Sequence, residues 1–297
     1  MTVHGLDGAA AASSLCALLT THNRRETTLR CLEGLFTQVG PGAEITAVVV
    51  DAGSTDGTPD AVEERFPLVR VVRVHADVYW ATGMAIAERE ARRGSRPDFL
   101  LWLNDDVVLD RDAIARLLAL HDRIGANPHL ICGAVRDPDS ARTTYGGVER
   151  YDWHPLRYRM VMPADDARQV DTAHGNALLV PAATYELLTA IDGKFVQSYA
   201  DFDYGERLRR VGGSVWLAPG HVGSCSANDS RRRELYATQP WRARWSWLLS
   251  PKGISPRCHL RYLRRHGGPA WMVFAAMPYA RFLVRRRAGP TPQVTGR

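Results

Sequence analysis

The sequence predicts an α/β fold, a mostly parallel β-sheet covered by helices, followed by a helical, basic C-terminal extension. Three observations carry that prediction. The first 110 residues alternate short apolar runs with segments of helical period. Runs such as "ITAVVV" are apolar at nearly every position, which implies burial on both faces, and the short helical connections between them imply parallel neighbours. Charge is segregated: residues 231–297 carry 15 Lys and Arg against one acid, Glu234, a net +14, so the total of +6 leaves −8 on residues 1–230.

The elements follow in order. Residues 1–14 read as a flexible lead-in, because Ala9 to Ser14 is a small-residue tract with neither a basic segment before it nor a long apolar core. Strands are expected at Leu15–Leu19, Ile45–Val50, Val69–Val74 and Phe99–Leu103, and helices over Arg24–Phe36, Thr58–Phe66, Thr82–Arg93 and Arg111–His121. The Tyr- and Gly-rich stretch Thr143–Met160 predicts a hairpin, and polar Ala164–Arg168 a sheet extension or a mobile loop. "HGNALLVPAATYELLTAIDGKF" predicts a strand, a Pro-started helix and a Gly turn. "SYADFDYGERLRRVGG" predicts a helix with Leu208 and Val211 on its apolar stripe and Gly212 and Gly213 as its stop; "SVWLAP" follows as a last short strand. Residues 15–110 and 111–228 are expected to be two halves of one domain, with 229–297 as the extension.

Composition narrows the class. A chain of 297 residues with 45% hydrophobic and 24% charged residues can bury a sizeable core in one large domain or two small ones. Its five cysteines are odd in number, widely spaced and without a CxxC pair, which argues against a disulfide framework or structural zinc and for a reducing, cytoplasmic compartment. In the extension, "HLRYLRRHGGPAWMVFAAMPYARFLVRRR" mixes Arg with aromatic residues. That mixture suits an anionic membrane surface or a polyanionic partner, and equally a solvated helical subdomain packed on the rest. The apolar stretch Pro269–Ala280, interrupted by Pro278, falls short of the ~20 residues a bilayer span needs, so membrane contact would be peripheral, at the inner face.

In open parallel sheets, ligands bind beyond the carboxyl ends of the strands. Those ends read "LLTTHNRRE", "VVVDAGSTDGT" and "LLWLNDDVVLD", all finishing in polar, flexible residues that should meet in one crevice. Asp51 ends its strand before Gly53 and Gly57, which permit a tight loop. Asp105 and Asp106 stand side by side at the end of a buried run, where like charges need a positive compensator. Mg²⁺ or Mn²⁺, held by one or two carboxylates together with substrate phosphates, would supply it. Alternatively one Asp caps the helix from Arg111 and the other faces water. A second acidic cluster, Asp201 and Asp203, opens a later helix: either could act as a general base, or both could cap the helix, and Asp201 is the expected base.

Taken together and in this order, "TTHNRRETTLRCLEGL", "VVVDAGSTDGT", "FLLWLNDDVVLD" and "ADFDYGERLRRVGG" resemble the family 2 glycosyltransferases, in their rhamnosyltransferase-like branch. The resemblance spans roughly residues 15–225 and implies the Rossmann-like GT-A fold and transfer of a sugar from a nucleotide-sugar donor, UDP-, dTDP- or GDP-linked, with inversion. It implies that Asp51 contacts the donor base, with Gly53 in its loop, and that Thr20, His22 and Arg24 line the nucleotide pocket. Asn104, Asp105 and Asp106 would occupy the DxD region, Asp106 facing the metal and Asp105 the ribose or metal. Asp201 falls where the catalytic base of inverting members is expected, although Ala200 stands before it where Glu is common. For the late metal-binding His of GT-A enzymes the candidates are His221 and Cys225, with Cys225 nearest in register. His174, Gly175, Asn176 and Trp80 could line the acceptor side. The acceptor would be a carbohydrate, a lipid-linked sugar or a natural product; no nucleic-acid partner is expected, and a homodimer is compatible with the chain.

Two other functions share these features. A sugar-phosphate nucleotidyltransferase would keep the fold, but its Gly-rich stretch after the first strand is replaced here by "TTHNRRE"; a non-catalytic nucleotide-sugar-binding protein would keep the pocket without turnover. A dinucleotide dehydrogenase lacks its GxGxxG.

Overall fold

Alternate residues of the first strand serve two cores, and the architecture follows from that. The computed structural model describes residues 13–40, 42–94, 96–227 and 239–287, with side chains through 284. Strands β1 (Ser13–Thr21), β2 (Ala43–Ala52), β3 (Val69–Val74) and β4 (Phe99–Leu103) pair in parallel in the order β3-β2-β1-β4. They are joined by α1 (Arg25–Phe36), α2 (Thr58–Arg65) and α3 (Trp80–Ala91). Leu15, Ala17 and Leu19 pack with the buried faces of α1 and α2, while Cys16 and Leu18 pack with Ala81 and Met84 of α3. Both faces are covered, so the strands have no need of polar alternation. Of the expected lead-in, residues 1–12 lie outside the described residues, and Ser13 and Ser14 already belong to β1.

After β5 (Val108–Leu109) and α4 (Ala113–Ile124), β6 (His129–Arg136) extends the sheet. Short strands β7 (Thr143–Tyr145), β8 (Gly147–Arg150), β9 (Tyr158–Met160), β10 (Arg168–Val170) and β11 (Thr172–Ala173) follow, and the expected hairpin is the antiparallel β8–β9 pair. Next, β12 (Ala177–Pro181) inserts between β4 and β6, antiparallel to both, and leads into α5 (Ala182–Leu187). Its direction has a functional consequence. The start of β12 lies beside the end of β4, and Asn104 N–H donates to the Asn176 carbonyl at 3.0 Å, so residues 174–176 arrive at the acidic turn.

A 3₁₀ turn (Gly193–Phe195) precedes α6 (Ala200–Arg210). The expected short strand "SVWLAP" is in fact longer: β13 (Ser214–Ser224) runs parallel to β6, shifts register between Leu217 and Gly223, and then pairs with β5. That continuation delivers Cys225 to the acidic turn. The sheet order is β10-β13-β6-β12-β4-β1-β2-β3.

The extension contains α7 (Trp241–Leu249), α8 (Pro256–His266) and α9 (Trp271–Arg287). Cys258, Tyr262, Leu263, Phe274 and Ala275 share one buried cluster with Trp102 and Tyr204, so α8 and α9 pack on the sheet domain. A charge cluster reinforces the contact. Asp203 on α6 is fully buried and accepts from Arg207 (2.9 Å), Arg265 (2.6 Å) and His266 (2.8 Å), the latter two on α8. No helix among the described residues is long and apolar enough to cross a membrane.

Candidate active site

The three strand ends do meet. Past β2, Gly53 sits at φ +66, and a Cβ there would fall 3.0 Å from the Ala76 backbone nitrogen, so the loop needs glycine for both conformation and space. Asp51 is 2% exposed; its Oδ2 accepts from Ser54 N–H at 3.0 Å, whereas Oδ1 is buried without a hydrogen-bond partner. An orphaned buried acceptor is costly, which marks Asp51 as poised for a ligand donor. Past β1, His22 Nδ1 lies 2.7 Å from the Ala52 carbonyl, and Asn23 bonds to Ser54 and Thr55, which ties the β1 and β2 loops into one wall. Thr20 Oγ1 is likewise buried and unpartnered beneath α3.

Past β4, Arg24 donates from one Nη1 to Asp105 (2.9 Å) and to Asp106 (3.0 Å). The compensation is incomplete: burial pushes Asp105 up to about 6, against the pull of Arg24 and with a further push from Asp106. On the far side Cys225 donates its thiol proton to Asp106 at 3.3 Å, and burial holds that thiol protonated. His221 lies elsewhere. Its Nε2 shares a hydrogen bond with Thr143 at 2.9 Å and its carbonyl accepts from Arg116; its registered neighbour is Ala134, and no hydrogen bond joins it to the acidic pair. Hard carboxylate oxygens under a residual electrostatic penalty are the chemistry that suits Mg²⁺ or Mn²⁺. Among the described residues no group of three or more His, Cys, Asp or Glu is placed to hold a metal ion. A cation here would therefore draw on the acidic pair, with phosphate and water completing its shell.

The residues expected on the acceptor side line a cavity of 380 Å³, the scale of a small-ligand site. Trp80, Asn104, His174, Gly175, Asn176 and Asp201 all face it. Trp80 donates its indole N–H to Asn104 Oδ1 at 2.8 Å, so the head of the acidic turn forms part of the wall. Asp201 accepts from Gly175 N–H on Oδ2 (3.2 Å) and from Phe202 N–H on Oδ1 (2.9 Å). Burial raises its pKa above the ordinary carboxylate range, with His174 and the backbone donors opposing. Asp203, two residues on, faces the opposite way into the α8 clamp and is held below that range: burial pushes it up, but His266, Arg207 and Arg265 together outweigh it. Only Asp201 of the two opens onto the cavity.

The sequence profile described as glycosyl transferase family 2 matches residues 16–187, more than half of the chain. This chain belongs to family 2 of the glycosyltransferases. Two curated relatives, both N-acetylglucosaminyl-diphospho-decaprenol L-rhamnosyltransferases from Mycobacterium tuberculosis (strains CDC 1551 / Oshkosh and ATCC 25618 / H37Rv), are 29% identical to it over 201 residues. The match takes in 59% of this chain and 63% of theirs. In fold the chain is similar to GalNAc-T7, solved with UDP, GalNAc and Mn²⁺ (TM-score 0.58, 13% identity, 69% of this chain and 42% of that one), and to S. aureus TarS 1-349 (TM-score 0.53, 13% identity, 90% and 73%). The mainly parallel sheet flanked by helices is thus the GT-A fold.

Several residues of this family 2 site escaped the sequence reading. Gln197 Oε1 accepts from Trp80 N–H at 3.1 Å, and Tyr199 stands at φ +74, a left-handed conformation that a bulky residue adopts only when its surroundings enforce it. Tyr145 and Phe202 also line the cavity. The tetrapeptide Val196–Tyr199 carries two left-handed non-glycine residues, and nothing in its composition signals that strain.

Proposed function

We propose that the protein transfers a sugar from a nucleotide-sugar donor to an acceptor hydroxyl with inversion at the anomeric carbon. The observation that carries this reading is the single 380 Å³ cavity that has Asn104, at the head of the acidic turn, on one wall and Asp201 on another. In that arrangement a donor bound over Asp51 and the Asp105–Asp106 turn presents its anomeric carbon to a hydroxyl held against Asp201.

Asp51 receives the base through its unpartnered Oδ1, and the β1 and β2 loops close around the nucleoside. Asp105 and Asp106 would hold a divalent cation, which stabilises charge building on the leaving diphosphate. Arg24, already at the pair, adds a second positive charge on the same side. Asp201 takes the hydroxyl proton as the acceptor oxygen attacks from the face opposite the leaving group, a single displacement that inverts configuration. Its raised pKa strengthens it as a base, and the two backbone donors fix its carboxylate.

The relatives' name points to a sugar on a lipid diphosphate as the acceptor and L-rhamnose as the first donor sugar to test. The outer face of α9 supports handling at a membrane: Met272, Val273, Leu283 and Val284 are 63%, 64%, 47% and 67% exposed, next to Arg281 and the basic end of the helix. An exposed apolar face beside arginines supports contact with a lipid interface, here at the inner face. The deciding experiment offers the purified protein a panel of UDP-, dTDP- and GDP-sugars with a short-chain lipid-diphospho sugar, with and without Mn²⁺, and follows nucleoside diphosphate release. Acceptor-dependent release supports transfer; pyrophosphate release from a nucleoside triphosphate and a sugar phosphate would instead mark a nucleotidyltransferase.

A further inference from the structure

A second cavity adjoins the first. It measures 290 Å³ and shares two walls with the acceptor cavity, Tyr199 and Phe202. Phe202 is the partition: its ring meets His174 edge-on at 5.3 Å, on the side of Asp201, and Tyr158 at 5.0 Å, on the far side. The outer wall comes from the C-terminal extension, through Ile254, His259, Phe274, Met277 and Arg281.

The lining of this chamber is selective. Most of it is aromatic or aliphatic, and half-buried His154 and exposed Trp153 pack on Phe274 at 4.7 and 5.2 Å between ring centroids. No carboxylate faces it. Its charged group, Arg281, has no ion-pair partner among the described residues, although almost every arginine of the neighbouring helix α8 is bound to an acid or an aromatic ring. His259 is 3% exposed; Nδ1 lies 3.3 Å from the Tyr199 hydroxyl and Nε2 makes no hydrogen bond, and burial pushes the ring's pKa down, with the Phe274 carbonyl opposing. A buried ring nitrogen without a partner, an unpaired guanidinium and an apolar wall together describe a place for an anion joined to an apolar chain.

We propose that this chamber is a second acceptor subsite, which takes the phosphate and the first apolar units of a lipid phosphate while the sugar beyond it reaches Asp201 past Phe202. The inference rests on the acceptor-side reading of Asp201 given above, and it assigns the extension a direct part in substrate selection. The phosphate lies against Arg281 and the two imidazoles, the first chain units lie on Phe274 and Tyr158, and the rest of the chain leaves along the exposed apolar face of α9.

Calorimetric titration of the full chain with farnesyl diphosphate, below its micelle-forming concentration and without nucleotide or metal, tests this. The expected result is saturable binding at least tenfold tighter than that of farnesol or inorganic pyrophosphate. Arg281→Glu, an exposed position, should weaken it at least tenfold, and Asp106→Ala should leave it unchanged. Absence of binding, equal binding of pyrophosphate, or indifference to Arg281→Glu would overturn the proposal. Because no donor takes part, the two readings fail separately: sugar transfer to a water-soluble acceptor without farnesyl diphosphate binding removes the subsite alone, and binding as described without any transfer removes the reaction alone.

Discussion

Gly175 donates its backbone N–H to Oδ2 of Asp201 at 3.2 Å, across the junction between the start of β12 and the start of α6. The bond exists because β12 runs antiparallel to β4 and so returns residues 174–176 to the acidic turn. It fixes one carboxylate oxygen and leaves the group facing the cavity.

Replacement of Gly175 by Ala tests the positioning. A Cβ there would sit 2.8 Å from two ring carbons of Trp80, whose indole also holds Asn104. Displacing the ring should lower kcat/KM on the order of 10²-fold, the usual cost of an ångström-scale misplacement, with little change in melting temperature. Near-normal kcat/KM would show that Trp80 and Asn104 need not be held in this way.

The pH dependence of activity should report Asp201. Burial raises its pKa, and a general base works only when ionised, so activity should fall as pH drops through a value above the ordinary aspartate range of ~4. The stability sign is opposite: the folded chain binds this proton more tightly than the unfolded chain, so this group costs stability as pH rises from the ordinary value through the raised one. A kcat/KM profile flat down to pH 4 would contradict the assignment.

Asp203 should behave as a structural group. Asp203→Asn leaves Arg207, Arg265 and His266 facing a neutral amide in a buried site, at a cost of about 3 kcal/mol by the usual penalty for breaking a buried pair. Its folded pKa is lowered, so the stabilisation is present above the ordinary aspartate pKa and lost as pH falls through the lowered one. Thermal melts at pH 7 should show a clear drop with residual activity per folded molecule retained. Unchanged melting would mean that the clamp to α8 contributes nothing.

Contact of α9 with a membrane can be separated from catalysis. Val273→Glu with Val284→Glu places two charges on the exposed apolar face and should abolish co-sedimentation with anionic vesicles, while transfer to a water-soluble acceptor persists. Equal co-sedimentation of wild type and double variant would remove α9 as the contact.

How much of this was legible beforehand varied with the physics of each segment. The strands Val69–Val74 and Phe99–Leu103 were readable to the residue, because one is a short valine-rich run and the other a short fully buried run, and both are bounded by turn residues. The direction of β12 was not, since "ALLVP" is buried on both faces and reads alike in either direction. The length of β13 was hidden by Pro219 and Gly220, which suggest a stop but here accompany a register shift. Asp105, Asp106 and Asp201 announced themselves as charges in apolar or helix-start contexts. The contact of Cys225 with Asp106 depends on β13 returning to β5, and the place of Tyr199 on a left-handed backbone, and both arise only from tertiary packing.

Asp201→Asn tests the central claim most directly, by measuring donor binding and sugar transfer on the same preparation. The substitution keeps the shape of the side chain and removes the base, so calorimetry should show donor affinity within about twofold of wild type, while transfer falls by roughly 10²- to 10⁴-fold. Transfer at the wild-type rate by a folded, donor-binding Asp201→Asn protein would contradict the account.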